Sequence, residues 1–278
     1  MPNTMERTQG SAHKPITALT QLRLRLWARS TVATRWLPVR ALADAGRHTA
    51  HHLKSATALL DRPALAGTLA LALVALAAVA VAAVHLVPDP VLGPVATTIS
   101  AYFHAAGGPL FLTVGLVALA ASVAAVLVGL RSAGIRPCRL SSWALLAWAG
   151  ALVLLAVFPT DAVGAPWTAV GVVHAVVSVS LFFSMPVGGW ALARRLEPVP
   201  GWAGTSRQLR FLALGSGVAV LVFLLSYLPV FGIPSPFDTA FATGQIYGLT
   251  ERVLVGLEAA VPVVLAVRLV RRGAGPVR

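Results

Sequence analysis

The sequence predicts an all-α protein: a polytopic membrane helix bundle with six transmembrane helices, preceded by a basic N-terminal cytoplasmic segment. Three observations carry that prediction. Of 278 residues, 57% are hydrophobic and only 11% charged, too few charges for a soluble chain of this length. Apolar runs of about 20 residues, enough to cross a bilayer core, recur along the chain. Among the stretches that flank those runs, lysine and arginine are confined to alternate ones. Helices are predicted rather than strands because backbone groups inside lipid must pair within their own segment.

Residues 1–62 are basic and weakly apolar. Ile16, Leu19, Leu22 and Leu26 fall at helical spacing, with Arg23, Arg25 and Arg29 interleaved. The pattern suits either a helix lying on an anionic inner leaflet or a disordered basic tail. No signal peptide is expected, because the first long apolar run opens only near Ala64. The first span is read as about Ala64–Val87, rich in Ala and Val, and the second as about Pro109–Leu130. The third, about Ser142–Phe158, ends at Pro159, and the fourth, about Pro166–Ala193, opens on a proline suited to a first helical turn. The fifth is about Leu209–Leu228, and the sixth about Gly244–Val270 with Pro262 inside it as a kink. The transmembrane domain is thus residues 63–272, and residues 273–278 form a cytoplasmic tail. Gly215 with Ala219, and Gly244, Gly248 and Gly256, are expected where helices approach closely.

The loops set the orientation. Ten Lys/Arg lie in residues 1–62, and Arg131, Arg136 and Arg139 follow the second span. Arg194, Arg195, Arg207 and Arg210 lie between the fourth and fifth spans, and Arg268, Arg271, Arg272 and Arg278 at the end. Loops 88–108, 159–165 and 229–243 hold none. By the positive-inside rule both termini are cytoplasmic and those three loops face outward. Tyr102, Trp167, Tyr227 and Tyr247 fall near the outer interface, as anchors do. The net charge of +13 is therefore read as a topology signal, with no nucleic acid as partner. The expected partners are membrane lipids, including anionic inner-leaflet lipid for residues 1–62. Lysine occurs only at Lys14 and Lys54. With the abundance of Ala, Val and Gly, that reads as a high-GC bacterial genome and so a bacterial cytoplasmic membrane. The single cysteine, Cys138, excludes an internal disulfide and is read as structural or incidental.

Against this apolar background a few polar residues need a reason. Asp89, Asp161 and Asp238 sit in different outer loops, and His85, His104 and His174 lie at or just below the outer surface. His174 is placed eight residues into the fourth span, with Ser178 four residues on and on the same face. Glu251 and Arg252 enter the sixth span at a similar depth, pointing about 100° apart. Glu258 lies seven residues beyond Glu251, on the same stripe and near the midplane. A charge at such depth is met by pairing, protonation or a wet cavity. His174, Ser178, Glu251, Arg252 and Asp161 are thus expected to converge under the outer surface, with Glu258 below. The blander alternatives are that Asp161 bonds its own backbone in the turn after Pro159 and that the rest tie helices together. No HxxxH or HExxH pair occurs, so no metal site is assigned. No nucleotide, flavin or haem motif occurs, so no cofactor is implied.

The stretches TTISAYFHAAGGPLF (97–111), FPTD (158–161), VVHAVVSVSLFFSMP (172–186) and GLTERVLVGLE (248–258), in that order, resemble domain-of-unknown-function family 998, multi-pass membrane proteins of bacteria and archaea. The resemblance covers about residues 65–270 and leaves out the basic region. It implies six membrane helices and marks Asp161, His174, Ser100, Glu251 and Arg252 as the family's polar positions. It implies no activity. On these grounds the expected function is binding or transport of a lipid-like or small amphipathic molecule near the outer leaflet. Arg252 or His174 would meet an anionic group, held in place by Glu251 and Asp161. A membrane-embedded lipid hydrolase, with His174 and Asp161 as base and orienter or as ligands of a metal, and a structural or partner-binding role are the alternatives.

Overall fold

The computed structural model describes residues 63–87, 92–234 and 246–273. The basic segment 1–62 with its amphipathic pattern, Asp89, Asp238, Gly244 and the tail 274–278 lie outside the described residues. Everything described is helix or connection. The long helices are α1 (Pro63–His85), α2 (Gly108–Ser132), α3 (Arg139–Val157), α4 (Ala169–Leu196), α5 (Ala203–Tyr227) and α6 (Tyr247–Gly273). Each is long and apolar enough to cross a membrane. Short 3-10 turns, Ile99–His104 and Leu228–Phe231, precede α2 and follow α5.

The helices start where local chemistry supplies a cap. Gly107, at φ 74°, takes the left-handed turn before α2 and lets Pro109 occupy its first turn. The Cys138 sulfur accepts the Ser141 N–H and starts α3 three residues earlier than apolarity alone indicates. Pro166 does not open α4 as expected. The Thr168 hydroxyl accepts the Gly171 N–H and caps the helix instead, leaving Pro166 in the preceding loop. His174 is therefore five residues into its helix, about 8 Å from the start rather than 12 Å. At the other extreme, α5 begins six residues before the apolar run, with Thr205, Ser206, Arg207 and Arg210 in its first turns. Its polar N-terminal turns extend beyond the apolar stretch that marks the span.

Consecutive helices pack side by side, and α6 closes the ring against α1 while also touching α2 and α4. Outward faces stay apolar, with Val79, Leu110, Trp143, Val176 and Phe211 exposed, as befits helices bathed in lipid. Trp148, Met185, Leu192, Leu254, Leu265 and Leu269 fill the middle. Near the arginine-rich end the backbones of α1 and α6 nearly touch. A methyl on Gly67 would lie 2.7 Å from the Ala266 carbonyl, and one on Gly129 of α2 would lie 2.7 Å from Leu269 and 2.9 Å from Ala66. The glycines singled out by spacing behave differently. Gly215 meets Leu257 at an ordinary 3.6 Å and Gly256 faces open space, while Gly248, among the described members of that set, allows a close approach. Spacing shows which residues share a face but not what stands opposite.

Candidate functional site

At the arginine-poor end, the chain between α1 and α2 folds back over α6. Gly248 makes room for it: any Cβ there would collide with the Thr97 backbone. The Leu249 N–H then donates to the Val95 carbonyl at 3.1 Å. The next two charged residues grip the same strip of chain. Glu251 accepts the Ile99 N–H. Arg252 donates through Nη1 to the Thr97 carbonyl at 2.8 Å and to its own helix at Gly248 at 2.7 Å. Its Nε and Nη2 both reach His85 Nε2, at 3.2 and 2.7 Å. His85 Nδ1 lies 2.7 Å from the Val81 carbonyl, so the proton is assigned to Nδ1 and Nε2 is the acceptor. The guanidinium also sits over the Tyr102 ring, 5.6 Å from its centre. Neighbouring residues about 100° apart on α6 thus bond successive backbone groups of one irregular segment.

A second knot forms at Phe158–Asp161. His174 Nδ1 donates to the Phe158 carbonyl at 2.7 Å, and His104 Nε2 lies 2.9 Å from the Thr160 carbonyl. Asp161 does not bond its own turn. Its Oδ2 accepts the Thr168 N–H at 2.9 Å and its Oδ1 the Thr168 hydroxyl at 2.7 Å. Those bonds, the backbone one first, hold the Asp161 carboxyl below the usual carboxylate range, helped by His104 and His174 nearby. The carboxylate rests over Gly171, where a Cβ would collide with it. Asp161 therefore anchors the start of α4. The place on His174 that an orienting carboxylate would take is filled by the Phe158 carbonyl.

Beneath the α1–α2 segment lies a cavity of about 110 Å³. Ser100, His174, Ser178, Glu251 and Glu258 line it, among side chains such as Val81, Phe103, Leu112, Leu152 and Phe182. His174 presents Nε2, its Nδ1 being spent on Phe158. Ser100 keeps a 3.1 Å bond to the Thr98 hydroxyl. Glu258 is wholly buried. Its Oε2 accepts from Trp148 Nε1 at 2.8 Å, and its Oε1 has no hydrogen-bond partner. A second hollow of about 150 Å³ lies against Thr97, Thr98, Ala101, Asp161, Trp167, Tyr227 and Tyr247. The Thr97–Phe103 stretch contributes to both walls.

The seven residues singled out in sequence thus separate into three places. Ser100, His174, Ser178, Glu251 and Glu258 share the deep cavity, Asp161 borders the other hollow, and Arg252 lines neither. Asp161, His174, Glu251 and Arg252 each bond backbone or a different residue rather than one another. Among the described residues no three His, Cys, Asp or Glu side chains gather where one metal ion could hold them. Sequence reasoning missed Thr168, the donor pair for Asp161, and Trp148, the partner of Glu258. A buried tryptophan needs an acceptor for its N–H, and that was the available signal.

Six apolar helices closed around buried polar groups define a multi-pass membrane helix bundle. The chain belongs to the DUF998 family, described as protein of unknown function, whose profile matches residues 48–268. The match takes in residues 48–62 of the basic region, which the resemblance by motif had left out. Neither a curated protein nor a solved structure matches the chain.

Proposed function

We propose that this protein binds or carries a lipid-like or small amphipathic molecule in the cavity beneath the α1–α2 segment. The observation that supports this reading most is the cavity's composition: an apolar wall broken by a few polar groups on α4, α6 and the 3-10 turn. That is the usual character of small-molecule sites, where apolar lining supplies affinity and sparse polar groups fix orientation. By the distribution of arginine the cavity lies toward the outer leaflet of a bacterial cytoplasmic membrane, with both termini inside. The direct test is extraction of bound small molecules from purified wild-type protein and from Ser178→Leu, whose side chain would fill the cavity from α4. An amphiphile present in the first and absent from the second supports the reading. Identical extracts, with both proteins folded, overturn it.

A structural role has its own support at a different place. Arg252 with His85 and Thr97, and Asp161 with Thr168, are closed networks that fasten chain to chain. Orientation is testable with the chain's single thiol. Cys138 caps α3 at the arginine-rich end, and its hydrogen bonds with Ser141 lower its thiol pKa, favouring the reactive thiolate. A membrane-impermeant maleimide added to intact cells is expected to spare it and to label it after lysis. Labelling of intact cells would invert the topology.

A further inference from the structure

We infer that the molecule held in the deep cavity carries a positive charge, as a lipophilic amine does. The inference rests on the binding role proposed above and adds the chemical class. Charge balance carries it. Two carboxyl groups, Glu251 and Glu258, belong to the wall, seven residues apart on α6 and so about 10 Å along its axis. No lysine or arginine lines the cavity. The nearest guanidinium, Arg252, commits its donors to His85, Thr97 and Gly248, outside the cavity.

The remaining polar groups point the same way. His174 offers Nε2 as an acceptor, since its Nδ1 proton goes to Phe158. Ser100 and Ser178 offer hydroxyls, which accept as readily as they donate. The N–H donors of the wall are spent: that of Trp148 goes to Glu258 Oε2, that of Ile99 to Glu251 and that of His174 to Phe158. Glu258 Oε1 is left wholly buried with no donor at all. An uncompensated carboxyl at such depth is costly and needs a proton of its own or a cation beside it. An ammonium supplies both the charge and the missing N–H. The rings of Phe103, Trp148 and Phe182 in the same wall favour a cation further. An anionic headgroup would instead meet two carboxyls, with only the serine hydroxyls to donate to it.

The experiment compares three matched probes, n-hexylamine, n-hexanol and hexanoate, titrated at neutral pH into the full chain in lipid nanodiscs. Protein-free nanodiscs give the partitioning baseline. Hexylammonium is expected to bind at least about tenfold more tightly than hexanol, with hexanoate at baseline. Glu258→Gln, which keeps an acceptor for Trp148, is expected to lose that preference while retaining hexanol. In wild-type protein the preference should also vanish when the pH is raised until the amine is neutral, a check that needs no variant. Equal binding of hexanol and hexylammonium, or a preference for hexanoate, overturns the cation and leaves the amphiphile reading standing. A preference retained in folded Glu258→Gln overturns the assignment to Glu258. Binding of none of the three overturns both readings.

Discussion

The two ends of α1, α2 and α6 are held together by opposite means. At the arginine-rich end Ala66, Gly67 and Gly129 bring the helices so close that added methyls would strike a backbone carbonyl on α6 or the Leu269 side chain. At the arginine-poor end α1 and α6 meet through His85 and Arg252, with irregular chain from Val95 to His104 laid between. The difference follows from what each end must satisfy. Regular helices in lipid have no unpaired backbone groups, so small side chains and dispersion suffice. Non-helical backbone buried at that depth has carbonyls and N–H groups that water does not reach. Glu251 supplies the acceptor for Ile99 and Arg252 the donor for Thr97. The charges that seem out of place in α6 are there because the neighbouring chain, at Thr97 and the start of the 3-10 turn at Ile99, leaves backbone groups unpaired by any α-helix.

The largest expected effect comes from breaking the polar end. Arg252→Ala strands the Thr97 carbonyl and His85 Nε2 together, and is expected to lower stability by at least about 3 kcal/mol. Arg252→Lys should recover little, because one ammonium does not reach partners on three sides. Thermal unfolding in detergent reads the loss, and amide exchange should show residues Thr97 to His104 opening first. A melting temperature equal to wild type would mean the clasp is ornamental.

Overpacking the apolar end is the matched test. Gly67→Val drives methyls into the Ala266 carbonyl and is expected to cost about 1–3 kcal/mol. Amide exchange at Ile99 to His104 should stay as in wild type, since the polar ties are remote from Gly67. Faster exchange there would show that the two ends are coupled through α1 and α6, and the contrast between them would fail.

The contrast also explains which parts of the molecule were readable in advance. Six helices followed from apolar run length and alternating arginine, because lipid forces both. Glu251, Arg252 and His174 stood out because polar groups in a span need a reason. Their partners did not stand out, because Thr97, Ile99 and Phe158 contribute backbone, which every residue possesses. The expected convergence of Asp161, His174, Glu251 and Arg252 assumed that charged side chains seek one another. Here they were nearer to unpaired backbone. Gly67 was not singled out for the complementary reason: in a span of Ala, Val and Leu one small residue looks much like another until α6 stands against it.

The smallest effect belongs to Asp161, at the edge of the polar end. Its carboxyl is held below the ordinary range by the Thr168 N–H and hydroxyl. The folded-state value therefore lies below the unfolded one, so the stabilisation is complete above the unfolded value, about 3.9. It fades as pH falls through the folded value. Asp161→Asn retains one acceptor oxygen but no charge. Its melting temperature is expected to fall slightly below wild type at neutral pH and to converge with it in acid. Thr168→Ala removes the hydroxyl that serves both Asp161 and Gly171, so the double variant should show much less than the sum of the two losses. Additive losses would mean that Asp161 acts through the Thr168 N–H, which Thr168→Ala leaves in place, or through His104 and His174, rather than through the Thr168 hydroxyl.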